Sequence, residues 1–291
     1  MKKKFIVLST MIFTFFSMTG IGQAQLRLSF KATGGYGTIS LGDINAVIKS
    51  KDNMLKDLAS IYGYTKEGAL EKINWGLNFE GEFILNLTDN LGIGLGSGYI
   101  QWKKSSTASL IVETEGTINY NVEPTITAIP IKISVYYFYP VASRMNIFLK
   151  GGIGYYFGKI TLSSKEEMIA TLYRVKVWQD FKVRDNGIGF HGGLGFEYNI
   201  VQNIAFFVEG EGRYAKLKDW KGDVTYIDLW DQLTKKRSGT FWYYEFERYG
   251  KYYSDVDIRE DKPTDPHFKN LRKFECNLSG LSLKVGIRIK L

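Results

Sequence analysis

The residues of this 291-residue chain that could carry out chemistry are two histidines and one glycine-rich run. Residues 187–192 read Gly-Ile-Gly-Phe-His-Gly, which satisfies the G-x-G-x-x-G spacing of dinucleotide-binding loops. Such a loop needs a strand before its glycines and a helix after them, but residues 187–200 alternate apolar with polar or small residues without a break. We therefore place the run inside one strand, reject dinucleotide binding and expect no cofactor.

The two histidines, His191 and His267, are too few and too isolated to suggest a metal centre or a histidine-based triad. We expect His191 to be a hydrogen-bonded residue of the protein interior near Arg213. His267 lies in a turn-like context and is the candidate residue for an enzyme acting on lipid, an alternative that stays open. The single Cys276 excludes an internal disulfide and is interpreted as an inert thiol.

The first 24 residues are typical of a signal peptide. Three lysines at positions 2–4 precede an apolar run over 5–22, and residues 22–24 offer small side chains at the cleavage site. The remaining chain, 25–291, carries 35 basic and 30 acidic residues, a charge of +5 that, without a basic helix, does not suggest nucleic acid. No later segment contains 18 consecutive apolar residues, so we predict no membrane-spanning helix.

Eight segments alternate apolar residues with polar or small ones, which is the period of a strand with one apolar face. They are residues 26–38, 73–87, 91–103, 126–139, 146–161, 187–200, 203–216 and 278–291. The links between them are alternately short (88–90, 140–146, 201–203) and long (39–72, 104–125, 162–187, 217–277). Short periplasmic turns and long external loops are typical of outer-membrane barrels, and an even strand number puts both termini on the inner side.

The cost of placing charge in lipid decides which face of each strand points outward. A lysine or arginine facing lipid at the midplane costs about 2–4 kcal/mol, so the charged faces must point inward. In two hairpins the inward carboxylates then lie opposite glycines, because an eight-stranded interior is barely wide enough for side chains. We interpret the inward charges as an ion-pair network that fills the interior. The predicted network is Arg27, Lys31, Glu80, Glu82, Lys150, Glu197, Glu209, Glu211, Arg213, Lys284 and Arg288.

Two of the long links have recognisable content. In the first, Asp43 is a plausible N-cap for a helix whose apolar residues recur at helical spacing as far as Tyr62. We interpret it as a short amphipathic helix on the barrel rim; contact with lipid or a partner is the alternative. The fourth link, rich in aromatic and basic residues, is either a self-packed hairpin or a surface for sugars, lipopolysaccharide or a protein. Its candidate contact residues are Trp230, Trp242, Tyr243, Tyr244 and Arg248.

Three stretches resemble a known family. They are residues 34–37 (Gly-Gly-Tyr-Gly), residues 91–99 with glycine at every second position, and the last strand. In these the chain resembles the small eight-stranded outer-membrane barrels of the OmpA, OmpX and OmpW type and the broader outer-membrane β-barrel domain family. The resemblance implies an assembly signal in the last strand, which maps to Gly286, Ile289 and Leu291, where a terminal Phe is more usual in the family.

The sequence thus predicts an all-β fold, an eight-stranded antiparallel up-and-down transmembrane barrel with long extracellular loops. We expect it in the bacterial outer membrane, in contact with lipid, lipopolysaccharide and the assembly machinery for outer-membrane barrels, with no nucleic acid, metal or catalytic residue. The predicted role is non-enzymatic, structural or surface-interacting. A narrow channel for small or hydrophobic solutes, which the OmpW-like resemblance would allow, and the enzyme at the rim are the alternatives.

Overall fold

The computed structural model describes residues 27–112, 116–170, 174–229 and 233–291, so the predicted signal peptide and Trp230 lie outside the described residues. The described chain consists of antiparallel strands and one helix. In chain order the elements are β1 (Arg27–Thr38), α1 (Asp43–Tyr62), β2 (Thr65–Gly68), β3 (Trp75–Asn86), β4 (Leu91–Lys103), β5 (Ser106–Val112), β6 (Gly116–Ala142), β7 (Met145–Ala170), β8 (Arg174–Val201), β9 (Ile204–Leu217), β10 (Lys221–Asp228), β11 (Leu233–Arg248), β12 (Lys251–Arg259), β13 (Phe268–Lys273), β14 (Cys276–Asn277) and β15 (Gly280–Lys290).

Eight of these strands pair into a closed antiparallel ring. The order around the ring is β1-β3-β4-β6-β7-β8-β9-β15, and β15 pairs with β1 to close it. At the closure, Lys31 on β1 lies opposite Arg288 on β15 and Glu82 on β3. Ring neighbours follow one another in the chain apart from the elements inserted in the long connections. The predicted eight-stranded up-and-down barrel is therefore confirmed.

The predicted pairing of inward carboxylates with glycines is also confirmed. On β3, Glu80 lies opposite Gly98 and Glu82 opposite Gly96 of β4. On β9, Glu209 lies opposite Gly195 and Glu211 opposite Gly193 of β8. The glycines leave the lumen free for the longer side chains that cross it.

Three strands are much longer than the sequence predicted. The structure extends β6, β7 and β8 to 27, 26 and 28 residues, so most of the two links predicted at 104–125 and 162–187 is strand. Along β7 the outward positions are apolar as far as Phe157, whereas beyond it the buried inward positions are aliphatic, beginning with Ile160 and Leu162. This change of face marks the edge of the membrane, because above that edge the core lies inside the sheet and water outside. The sequence prediction followed outward apolar residues, so it ended each strand at this change of face although the strand continues.

An apolar belt surrounds the ring on its outer face. Leu95, Ile133 and Leu194 are each more than half exposed there, in the middle of their strands. At the end with long connections Tyr36 stacks on Trp75, with 5.7 Å between ring centroids. A continuous apolar belt bordered by aromatic rings is the surface that a lipid bilayer covers. Other large outward residues of the belt include Leu77, Phe79, Phe83, Ile129, Ile131, Val135, Tyr137, Tyr139, Leu149, Ile153, Tyr155, Phe157, Ile188, Phe190, Phe196, Tyr198, Tyr214, Leu281, Leu283 and Val285.

The end with long connections carries a second structure, here named the cap, built from α1, β2, β5, the ends of β6–β8 beyond the belt, and β10–β14. Its core is apolar and includes fully buried Leu55, Trp220 and Phe274, together with the free thiol of Cys276, which is also buried. Among the described residues, no helix has the length and apolar character needed to cross a membrane.

The predicted amphipathic helix is present, and it packs into the cap. Its apolar face, including Ile44, Ile48 and Leu55, is buried in the cap core. Gly42 precedes the helix, so Asp43 is its first residue and makes no capping hydrogen bond, contrary to the prediction. The Asp43 carboxylate is instead held by the two guanidinium nitrogens of Arg272 at 2.6 and 2.7 Å. The helix ends at Gly63, whose left-handed conformation (φ 70°) suits glycine.

Candidate functional site

The barrel interior is organised in layers, and the layer nearest the short turns is centred on the ion pair of Arg288 with Glu197. Arg288 on β15 lies 3.2 Å from the carboxylate of Glu197 on β8. Its remaining nitrogens donate to Ser29 and Asn86, both at 2.9 Å, and its guanidinium lies 4.3 Å from the ring centroid of Phe138. A buried arginine with a carboxylate and additional acceptors is a stable arrangement that crosses the lumen.

Aromatic rings form the next layer. Tyr136, Phe148 and Phe207 are almost fully buried and contact one another through tilted and edge-on ring pairs. The ammonium of Lys31 lies over these rings, 4.6 Å from the centroid of Phe207, and forms an ion pair with Glu209. The rings therefore form an apolar floor under the charges above them, and Lys31 connects the two layers.

The largest polar layer crosses the middle of the barrel. Lys150 on β7 lies 2.6 Å from both Glu209 and Glu211 of β9. From the opposite wall Glu80 approaches Lys132 at 2.5 Å and Lys284 at 2.8 Å, and Glu211 contacts the same two lysines at 3.1 and 2.8 Å. With Glu82, which accepts a hydrogen bond from Tyr136, the layer holds four lysines and four glutamates. The members are Lys31, Lys132, Lys150, Lys284, Glu80, Glu82, Glu209 and Glu211.

A fourth layer separates this charge cluster from the cap core. Arg213 donates from Nε to the carbonyl of Leu278 at 2.8 Å, and its guanidinium lies 5.3 Å from the ring centroid of Trp102. His191 lies opposite Arg213 in the register, as predicted, and its Nε2 is 3.0 Å from Ser134 Oγ. Buried side chains of these layers thus project into the lumen one layer above another, with the cap core above them.

The structure places most of the predicted network residues in these layers, with two differences. Arg27 is exposed at the start of β1, because it lies beyond the last inward layer where the strand leaves the lumen. Lys132 was not predicted as a member, yet it bridges Glu80 and Glu211. Its position between outward Ile131 and Ile133 is the sequence signal that could have identified it.

The predicted contact residues of the fourth link are mostly covered. Trp242 and Tyr243 are buried where β11 pairs with β12 on one side and β13 on the other. Tyr244 is half-buried and stacks on Phe268 with a centroid distance of 4.1 Å. Arg248 alone of the described candidates is exposed, over the ring of Tyr249. These rings pack between the paired strands of the cap, so their contacts stabilise the cap.

A groove of about 520 Å³ opens on the cap between α1 and β12, and it is here named the cap groove. Its walls are tied together: Lys251 and the hydroxyl of Tyr253 both donate to the Asp57 carboxylate at 2.6 Å, and Ser50 Oγ accepts the backbone N–H of Ser254 at 2.6 Å. The groove is lined by Ala46, Lys49, Ser50, Asn53, Lys56, Asp57, Lys251, Tyr252, Tyr253 and Ser254.

The electrostatics of the cap groove are basic. Its lining has three lysines and one acidic residue, Asp57. Hydrogen bonds from Lys251 and Tyr253 lower the pKa of the Asp57 carboxyl, so it stays ionised. Both of its oxygens already accept a hydrogen bond from these two residues. Burial and the Asp57 carboxylate raise the pKa of Tyr253 to about 12, which keeps its hydroxyl protonated as a donor. The groove therefore presents mainly hydrogen-bond donors and positive charge.

Another acidic residue of the cap, Asp255, has an environment that predicts a pH-dependent stability. Burial among apolar residues raises the pKa of Asp255, although Lys51 opposes the shift. The ionised form therefore costs stability at neutral pH, and this cost disappears as the pH falls below the ordinary aspartate pKa. We expect Asp255→Asn to stabilise the cap at pH 7 by about 1 kcal/mol and to have no effect at pH 3. Amide hydrogen exchange of β12 in both proteins at both pH values measures this; equal differences at the two pH values would contradict it.

The described residues contain no group of three or more histidine, cysteine, aspartate or glutamate side chains that could hold a metal ion. His267, the candidate residue of a rim enzyme, is exposed, and its backbone N–H donates to the Asp265 carboxylate at 2.9 Å. No other hydrogen bond links His267 to an acid or hydroxyl in the described part of the chain. The two clusters with definite geometry are therefore the barrel layers and the cap groove.

The chain was compared with protein-family profiles, curated proteins and solved structures. The profile described as the outer membrane protein beta-barrel domain matches residues 8–233. A search of curated proteins found no significant match. Among solved structures the chain is similar to the outer membrane protein OprG from Pseudomonas aeruginosa, with 11% identity, a TM-score of 0.39, and coverage of 92% of this chain and 98% of that chain. It is also similar to the outer membrane protease OmpT from Escherichia coli, with 8% identity, a TM-score of 0.25 and the same coverage.

Proposed function

The chain belongs to the outer membrane protein β-barrel domain family, and from this premise we propose that it is a closed, non-enzymatic barrel whose cap interacts with molecules outside the cell. The signal peptide over residues 1–24 would export it, and the barrel would reside among outer-membrane lipid and lipopolysaccharide. The assembly signal at Gly286, Ile289 and Leu291 stays a prediction, and assembly machinery would be its partner.

One observation carries the proposal of a closed barrel. The charge layer spans the lumen from Glu80 on β3 to Glu211 on β9, with lysines bridging them, and apolar layers lie on both sides. A conducting pore needs a continuous aqueous path, whereas an eight-stranded interior is filled by its own side chains. Because the side chains of the interior pack against one another, the surface of the cap is the part of the molecule that we propose contacts other molecules.

Planar-bilayer recording of the purified full-length protein tests the proposal. We expect no steady single-channel current, because ions would have to displace buried ion pairs and then cross the apolar cap core. A 16-stranded porin in the same bilayer is the positive control. Steady currents from this protein would contradict the closed barrel and favour the alternative, a narrow channel. Lipid hydrolysis or acyl transfer that disappears on His267→Ala would contradict the non-enzymatic role.

A further inference from the structure

The cap groove has the size and chemistry of a binding site for a small charged ligand. We propose that it binds an acidic oligosaccharide, a short sugar chain that carries carboxylate or phosphate groups. The inference rests on the proposed function, since the groove reaches such a ligand only if the cap faces the outside. A volume of about 520 Å³ suits a ligand of a few sugar units and falls within the usual range of small-molecule sites.

Not every lysine of the groove is in an ion pair within the described part of the protein. Lys251 is paired with Asp57, and Lys56 with Asp52 at 2.7 Å on the preceding turn of α1. Lys49 is exposed and forms no ion pair among the residues that the structure describes. The side chain of Lys56 is more than half exposed even in its pair. Lys49 and Lys56 can therefore both reach an anionic group in the groove.

One partly exposed aromatic ring lines the same groove. Tyr252, 44% exposed, is part of its lining. Its hydroxyl donates to Glu247 at 2.9 Å and the Lys269 ammonium lies 4.0 Å from its ring centroid, which leaves the opposite face of the ring for a ligand. A tyrosine ring offers a flat apolar face with a polar tip. Sugar rings have one apolar face and a rim of hydroxyls, so the combination of one open tyrosine face and several donors suits them better than it suits an acidic peptide.

The position of the groove favours a free sugar chain over a lipid headgroup. Lys51, next to Ser50 of the groove, donates to Ser164 Oγ at 3.3 Å. Ser164 lies seven residues beyond Phe157, the last residue that β7 contributes to the apolar belt, which corresponds to about 23 Å of strand. Even along a tilted strand this distance places the groove above the headgroups of the outer leaflet.

Binding of tetragalacturonate to the full-length protein in phosphatidylcholine nanodiscs tests the proposal by isothermal titration. We expect it to bind at least about tenfold more tightly than neutral maltotetraose, because each charge contact contributes up to about fivefold. Lys49→Gln with Lys56→Gln should weaken binding about tenfold. The matched pair Lys235→Gln with Lys236→Gln, also exposed on the cap, should change it less than about twofold.

Further variants separate the contributions. Tyr252→Ala should weaken binding about fivefold, while Tyr252→Phe keeps the ring and the affinity. Equal effects of the two lysine pairs, no preference over maltotetraose, or equally tight binding of hexaglutamate would overturn the saccharide site. Competition by lipopolysaccharide placed in the nanodiscs would assign the site to a headgroup instead. Conductance measured on the same preparation judges the closed barrel separately, so either conclusion can fail alone.

Discussion

Replacing Lys150 with methionine is expected to lower the free energy of unfolding of the barrel by about 3–5 kcal/mol. Lys150 lies 2.6 Å from both Glu209 and Glu211 and is fully enclosed. Without it, four carboxylates face three lysines in a layer of buried side chains, and an unpaired buried charge is costly. Urea unfolding in lipid vesicles, followed by tryptophan fluorescence and gel mobility, measures the change.

Two further variants show whether charge balance is the cause. Lys159→Met alters the same strand on its exposed outer face beyond the belt, and we expect an effect below about 0.5 kcal/mol. Adding Glu211→Gln to Lys150→Met restores neutrality, and each remaining lysine keeps a carboxylate. That double variant should recover at least half of the lost stability. If the double variant is less stable than Lys150→Met, the balance of charges does not explain the effect.

Replacing Gly96 with valine is expected to destabilise the barrel by about 3 kcal/mol or prevent its closure. A side-chain carbon at position 96 would lie 2.8 Å from the carbonyl oxygen of Gly81 and 2.9 Å from Cβ of Glu82. These atoms belong to the neighbouring strand and to a carboxylate fixed within the charge layer. The loss of heat-modifiable gel migration after refolding into vesicles reports failure to close.

Gly151→Ala is the matched control for this substitution. Gly151 lies on the exposed outer face of β7, and an added side-chain carbon would have no neighbour within 4 Å. We expect refolding yield and stability close to those of the natural sequence. If Gly151→Ala impairs closure as much as Gly96→Val does, the glycines act through strand flexibility, and the space argument is wrong.

The barrel could be predicted from the sequence because lipid imposes one rule on every strand. Outward residues must be apolar and inward charges must be paired, so alternation alone identifies the ring, its register and the glycines opposite Glu80 and Glu82. Lys132 obeys the same rule and could have been assigned to the network. The full lengths of β6–β8 could not, because the apolar face changes sides at the membrane edge and the rule reverses there.

The cap was beyond sequence reasoning for a different physical reason. A run of aromatic residues such as Trp242 and Tyr243 signals a large apolar area, but the same area serves a core or an exposed surface equally well. Which of the two applies depends on whether β12 and β13 flank β11, and these pairings join segments far apart in the chain. The cap groove depends likewise on α1 meeting β12, through Ser50 and Ser254 and through Asp57 and Lys251.

The composition of the cap core sets an order of events during biogenesis. The core takes residues from every long connection: Leu55 from the first, Leu110 from the second, Phe181 from the third and Phe241 from the fourth. With the cap outside the cell, as proposed, this core can form only after all four have crossed the bilayer, so the ring must insert while its outer half is still unfolded. Once the cap has condensed, withdrawing any hairpin would require that core to melt first. The folded cap therefore opposes withdrawal of the inserted barrel from the membrane.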